Sequence, residues 1–220
     1  MTIKLNLVKM EFMNQGRYIA HVFSPTPQLA VRSGNTDNDT FNANRAYALD
    51  EITQLHARSY RDYNNAPGNP QAQAPKVADI RGQFEGRLDK YKGMLVWVED
   101  TQPVEDKTNS SAVAYAEIQG DGGGNNLGEL VTVYAIPGDE NEQLLNRVMD
   151  EVVDASREGG YRTIDAFGYN MPEGLLGRYG FTLTQDGTED DPLFELDLTR
   201  VGGEREQGTP PAGIPSSGNI

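Results

Sequence analysis

The stretch Leu127–Gly160, LGELVTVYAIPGDENEQLLNRVMDEVVDASREGG, constrains the fold more than any other part of the chain. Leu130, Val131, Val133, Tyr134 and Ile136 form a run rich in β-branched and aromatic side chains that stops at Pro137 and Gly138, the pattern of an interior strand ending in a loop. Beyond the loop the period changes. Leu144, Leu145, Val148, Met149, Val152 and Val153 recur along one helical face, so the segment predicts a buried strand, a tight turn and a long amphipathic helix. Asp139 and Glu142 are spaced as a capping box, Asp139, Glu140 and Glu142 suit the positive end of the helix dipole, and Gly159 and Gly160 supply a stop. Such a helix is a crossover, which requires a parallel neighbour for the strand Leu130–Ile136. Thr163–Tyr169 is predicted to be that neighbour, with the helix packed beneath the sheet.

At 220 residues the chain can bury one sizeable core with decorations. Its 33 acidic against 19 basic residues, a formal net charge of −14, disfavour a nucleic-acid partner or attachment to an anionic membrane. With no cysteine there is no disulfide, thiolate metal site or cysteine nucleophile. The two histidines, His21 and His56, lack the surrounding pattern of a transition-metal site, and no metal is expected. No apolar run has the length of a membrane span, and Met1–Phe12 alternates where a secretory leader would be continuous, so a cytoplasmic site of synthesis is expected.

Along the chain, Ile3–Phe12 alternates with a change of phase near Leu7, and Asn14–Gly16 is placed to return it as Arg17–Phe23 in a hairpin. Ser24–Asn42 reads as a long polar loop, Asn44–Tyr63 and Lys76–Tyr91 as helices, and the uncharged, proline-bearing Asn64–Pro75 as their spacer. Met94–Glu99 and Ala112–Ile118 read as antiparallel neighbours of the Leu130 strand. A short helix at Pro172–Arg178 and strands at Phe181–Gln185 and Leu193–Thr199 close the core. Thr188–Asp191 reads as a solvated hairpin tip, and the glycine-rich turn Gly120–Asn126, with no helix or lysine following, does not read as a phosphate cradle. The expected division is a hairpin and surface loop over 1–43, one domain over 44–200 and an arm over 201–220. The arm holds five glycines and three prolines, a composition that cannot make a core alone.

The order of these elements over Asn44–Thr199, together with GRYGF at Gly177–Phe181, resembles the GNAT superfamily of N-acetyltransferases. The resemblance implies an α+β or α/β fold: a mixed, mostly antiparallel sheet with helices on both faces, here with the N-terminal hairpin and C-terminal tail added. In that family the fourth strand ends in a Val-x-Pro-like segment and a loop of the type Arg/Gln-x-x-Gly-x-Gly/Ala. The loop amides and the following helix hold the pyrophosphate of acetyl-CoA, an anion cradle. In this chain Ala135-Ile136-Pro137 stands at the strand end, but Gly138, Asp139, Glu140, Asn141 and Glu142 replace the glycine pattern, and Leu144 follows the proline sooner than the family's paired leucines do. If the cofactor is retained, the resemblance places Ala135, Pro137, Gly138 and Asn141 around it. The position that often carries a tyrosine acid holds Leu176, with Tyr179 three residues on, while Glu129 stands where some members have a general base.

Three carboxylates where a diphosphate approaches oppose binding. The favoured expectation is therefore a GNAT-like protein without cofactor or catalysis, a structural or interaction component of a larger assembly such as a virus particle. Its partners would be other protein chains, met through the C-terminal arm and the N-terminal loop. The alternative expectation is an acetyl-CoA-dependent N-acetyltransferase with an atypical loop, in which Glu129 and Tyr179 are the catalytic candidates.

Overall fold

Hydrophobic runs long enough to be covered on both sides dominate the middle of the chain, and in the computed structural model they form the centre of one sheet. The structure describes residues 17–24, 38–65, 75–91, 93–101, 111–120, 126–168, 171–172, 174–188 and 191–200. In order, these build β1 (Tyr18–Phe23), α1 (Asn38–Asn65), α2 (Val77–Tyr91), β2 (Met94–Asp100), β3 (Ala112–Gly120) and β4 (Leu127–Ala135). There follow α3 (Asn141–Glu158), β5 (Thr163–Phe167), α4 (Leu175–Arg178), β6 (Thr182–Leu183) and β7 (Leu193–Asp197). The strand before the Asn14–Gly16 turn, most of the Gly120–Asn126 turn, and the arm over 201–220 lie outside the described residues, as do the contacts expected of that arm.

The described strands lie in the order β1-β2-β3-β4-β5-β7-β6. Every neighbouring pair is antiparallel except β4 and β5, which run parallel with Leu127 opposite Thr163 and Leu130 opposite Ala166. The expected crossover is thus present, and α3 supplies it. On one face, Leu144, Leu145, Val148, Met149, Val152 and Val153 of α3 pack with Val96, Ala114, Ala116, Ile118, Leu130 and Val133. On the other, Leu49, Ile52 and Leu55 of α1 and Ile80, Phe84 and Leu88 of α2 cover Leu95, Trp97 and Tyr115. No helix of the described residues is long and apolar enough to cross a membrane.

Several buried polar groups are tied to partners. Glu117, buried on β3, accepts bidentate hydrogen bonds from Arg87 of α2 at 2.6 and 2.8 Å. Glu51 of α1 accepts from the Ser111 and Ala112 amides at 2.8 and 3.0 Å, latching the start of β3 to the helix. His21 stacks on Trp97, and His56 shares a hydrogen bond with the Tyr115 hydroxyl, so both histidines are packing residues. Among the described residues no group of histidine and carboxylate side chains is arranged to hold a metal ion.

Several expected boundaries shift. α1 starts at Asn38, inside the stretch read as a polar loop, while α4 is a single turn and β6 only Thr182–Leu183. The capping box is not formed: Glu140 occupies the N-cap of α3 without a side-chain cap bond. Its carboxylate is drawn sideways to β1 instead, as described below. At the other end Gly159 is the C-cap and Gly160 takes φ +84°, the left-handed position that glycine serves best.

One carboxylate of α3 makes the fold sensitive to pH. Burial, with repulsion from Asp154, Glu158 and Asp150 and only Arg147 opposing, pushes Glu151 up from 4.5 to about 7. The folded state therefore favours the protonated acid, so ionisation of Glu151 weakens folding progressively from about pH 4.5 and fully above pH 7. Glu151→Gln should melt like the parent near pH 4 but be more stable at pH 8 by about 1–2 kcal/mol, a figure reduced for the group's partial exposure. Melting curves across that range check this; an equal shift at both pH values would locate the effect in packing rather than charge.

Candidate active site

The parallel pairing of β4 and β5 is short. It spans Leu127–Leu130 against Thr163–Ala166, after which β4 continues through Val131–Ala135 beside β3 with no described strand on its other edge. The register explains the divergence. Glu117 faces Thr132 whereas Ile118 faces Leu130, leaving Val131 as the extra residue of a β-bulge, and a bulge bends and twists the strand that carries it. The two strands thus form a fork, and beyond Leu130 this edge of β4 is unpaired among the described strands.

Side chains at the base of the fork follow from the alternation of each strand. Ile164 and Ala166 of β5 and Leu196 of β7 are buried in the α3 face of the core, so Asp165 and Glu195 emerge on the opposite face. Glu129 of β4 lies directly opposite Asp165, and Asp165 directly opposite Glu195. Three carboxylates consequently stand in register across three strands, neighbours separated by roughly the 4.8 Å between strands. No ion pair joins any of them to a cation among the described residues. Like charges placed directly across a sheet cost stability, and a cationic ligand would remove that cost. Asp165 shows the strain: burial, then the charges of Glu195, Glu129 and Asp186, raise its carboxyl above the usual range, and its Oδ1 is buried without a hydrogen-bond partner among the described residues.

Glu129 and Asp165 line a cavity of 330 Å³ whose remaining wall includes Tyr91, Gln119, Leu127, Phe167 and Leu193. It offers apolar surface for a carbon chain and carboxylate oxygens for a charged or proton-bearing group. Sequence reasoning named Glu129 and missed Asp165 and Glu195. The signal for Asp165 was present in the alternation of Thr163–Phe167, but its alignment with Glu129 and Glu195 depends on strand order and register, which the local pattern does not carry.

The turn from β4 to α3 joins the other residues expected around a cofactor. Asn141 donates from Nδ2 to the Ala135 and Ile136 carbonyls at 3.1 and 2.9 Å, and its amide donates to the Gly138 carbonyl at 3.1 Å, so it holds the turn closed. Gly138 adopts φ +148°, where side chains are strained, and the space a Cβ would enter is open. The turn leads into the 18-residue α3, whose N-terminal end carries the positive pole of its dipole. Two of the three carboxylates placed here are already engaged. Glu140 is held by Arg17 and Tyr18, and Glu142 lies 3.4 Å from Arg178. An arginine thus lies beside each of these two, which lowers the local negative charge of the turn.

Tyr179 is bonded to α3. Its hydroxyl donates to the Asn146 carbonyl at 2.7 Å and lies 3.1 Å from Asp150, which pins the end of α4 to α3. Leu176 is buried beside it in the α3 face of the core.

No protein-family model matches the sequence, and no curated protein matches it. Solved structures do share its architecture. The PaiA N-acetyltransferase of Thermoplasma acidophilum, in complex with coenzyme A, is 14% identical, with 68% of this chain and 92% of that one covered and a TM-score of 0.45. An N-acetyltransferase of Staphylococcus aureus Mu50 is 12% identical over 81% of this chain and 98% of its own, at 0.45. YncA, a candidate acetyltransferase from Salmonella typhimurium with its cofactor acetyl-CoA, is 13% identical over 84% and 96%, at 0.47. These similarities concern architecture. They nevertheless run against the expectation of a cofactor-free structural component, because the proteins of like architecture are acetyltransferases, two of them solved with coenzyme A or acetyl-CoA. That expectation, including a place in a virus particle, is therefore set aside. With a mostly antiparallel sheet, helices on both faces and one parallel pair forked at a β4 bulge, the chain has a GNAT-like fold.

Proposed function

We propose that this protein is an acetyl-CoA-dependent N-acetyltransferase with an atypical cofactor turn, acting on a cationic amine. The observation that carries the reading is the fork itself: an open β4 edge adjoining a cavity that holds a strand-borne carboxylate, Glu129, beside a second, Asp165. Ala135, Pro137, Gly138 and Asn141 form the turn that would hold the cofactor, which supplies an activated acetyl thioester. The open space at Gly138 and the N-terminal pole of α3 suit its anionic part.

Within this reading Glu129 accepts the proton released as the amine nitrogen becomes an amide nitrogen, directly or through one water. A backbone N–H of β4 beyond the bulge polarises the acyl carbonyl. Asp165 and Glu195 attract and orient the cationic acceptor, and the apolar wall of Leu127, Phe167 and Leu193 contacts its carbon frame. The products are the N-acetylated amine and free coenzyme A thiol.

The test is calorimetry with acetyl-CoA followed by a thiol-release assay over neutral, monocationic and polycationic primary amines. Saturable binding is expected, with turnover fastest for amines carrying additional positive charge and declining as salt is raised. Absence of binding at millimolar acetyl-CoA would overturn the reading. Binding with equal turnover of neutral and polycationic amines would remove the role given to the carboxylate row.

A further inference from the structure

The contacts of Glu140 point to a function for the strand most remote from α3 in sequence. Arg17, just before β1, is fixed at both ends. Its carbonyl accepts hydrogen bonds from the Thr101 amide and hydroxyl at 2.7 and 2.8 Å. Its guanidinium donates to Asp100 through Nε at 3.1 and 3.2 Å and through Nη2 at 2.9 Å, and the Asp100 side chain is buried. The remaining arm, Nη1, reaches Glu140 Oε1 at 3.1 Å, while the Tyr18 hydroxyl donates to Glu140 Oε2. Burial and this contact push the Tyr18 phenol up to about 12, so it stays a donor throughout the neutral range.

An aspartate at a helix N-cap ordinarily folds back onto the first-turn amides, whereas the longer glutamate can reach other partners. Glu140 makes no cap bond. We propose that Arg17 is a positioning residue for the cofactor turn: with Tyr18 it holds the Glu140 carboxylate against β1, leaving the first-turn amides that follow Asn141 to an anionic ligand. A glutamate at this position is then compatible with diphosphate binding because a preset cation and a phenol keep its charge to one side. The inference rests on the acetyltransferase reading and adds to it the reason an acidic turn can still serve.

The experiment compares acetyl-CoA dissociation constants and steady-state kinetics for the parent, Tyr18→Phe, Arg17→Met, Glu140→Gln and the two double variants with Glu140→Gln. Releasing Glu140 should weaken acetyl-CoA binding by about tenfold in Arg17→Met and by a smaller factor in Tyr18→Phe. The KM for acetyl-CoA should rise while kcat and the KM for the amine hold. Adding Glu140→Gln to either variant should restore parental affinity, because no carboxylate is left to restrain. A purely structural role for Arg17 predicts the opposite, a double variant as weak as the single one, and that result overturns the proposal. Tyr18→Phe touches Glu140 without uncovering Asp100, so it keeps the test decisive even if Arg17→Met fails to fold. Parental binding with no loss in Tyr18→Phe or Arg17→Met sinks this inference alone, whereas a parent that binds no acetyl-CoA sinks the acetyltransferase reading with it.

Discussion

Val148→Asp should abolish the folded state. Val148 is fully buried, on the stripe by which α3 covers β2, β3 and β4. The described surroundings of Val148 are apolar, and a buried unpaired charge costs several kcal/mol even after the group shifts towards its protonated form. The net stability of a domain of this size is only about 5–15 kcal/mol, so one such change removes much or all of it. The expected observation is loss of the near-ultraviolet circular dichroism and of a cooperative melt. Val148→Ala should remain folded with a loss of about 1–3 kcal/mol, since it deletes apolar contacts without adding a charge. A Val148→Asp variant melting within about 2 °C of the parent would show that α3 does not pack as the crossover helix.

Glu129→Gln should have the largest effect on turnover. The amide preserves the size and much of the polarity of the side chain but cannot accept a proton. With the acetyltransferase reading, kcat should fall by about 10²–10⁴-fold while acetyl-CoA affinity is unchanged. The neighbouring carboxylate gives a contrasting expectation. Asp165→Asn removes a charge whose repulsion the fold already bears, so it should stabilise the protein modestly and raise the KM for a cationic amine more than it lowers kcat. If Glu129→Gln keeps parental kcat and Asp165→Asn loses it, the base is Asp165, and the roles of the two residues exchange. If both keep it, neither carboxylate accepts the proton.

Glu117 shows why the neighbouring acid does not compete for that role. Burial pushes its carboxyl up, the nearby charge of Arg87 opposes this, and both of its oxygens are occupied by the Arg87 guanidinium. A carboxylate held bidentate by an arginine is poorly placed to take a proton from a substrate. Glu129, one strand away and exposed, has no such partner among the described residues.

The local sequence by itself determined the helix and strand periods. The stripe Leu144–Val153 could only be an amphipathic helix, the apolar run through Leu130 and Val133 an interior strand, and the crossover between them demanded the parallel β4–β5 pair that the structure contains. These features are legible because hydrophobic period and connection length act within a few dozen residues. The resemblance to the GNAT superfamily also singled out Glu129 and the turn Ala135–Asn141. The local sequence could not decide what the turn's charges do. Asp139, Glu140 and Glu142 look alike in a linear reading, yet Glu140 meets Arg17 and Tyr18 from more than a hundred residues away, a meeting created only when β1 is laid beside β2 in the sheet. Nor could local pattern align Glu129, Asp165 and Glu195. Register on three strands, one of them parallel, placed them in a row, and a β-bulge at Val131 opened the edge beside them. The fold follows from short-range periodicity, whereas the chemistry of the site follows from long-range pairing of charges, which only the packed sheet specifies.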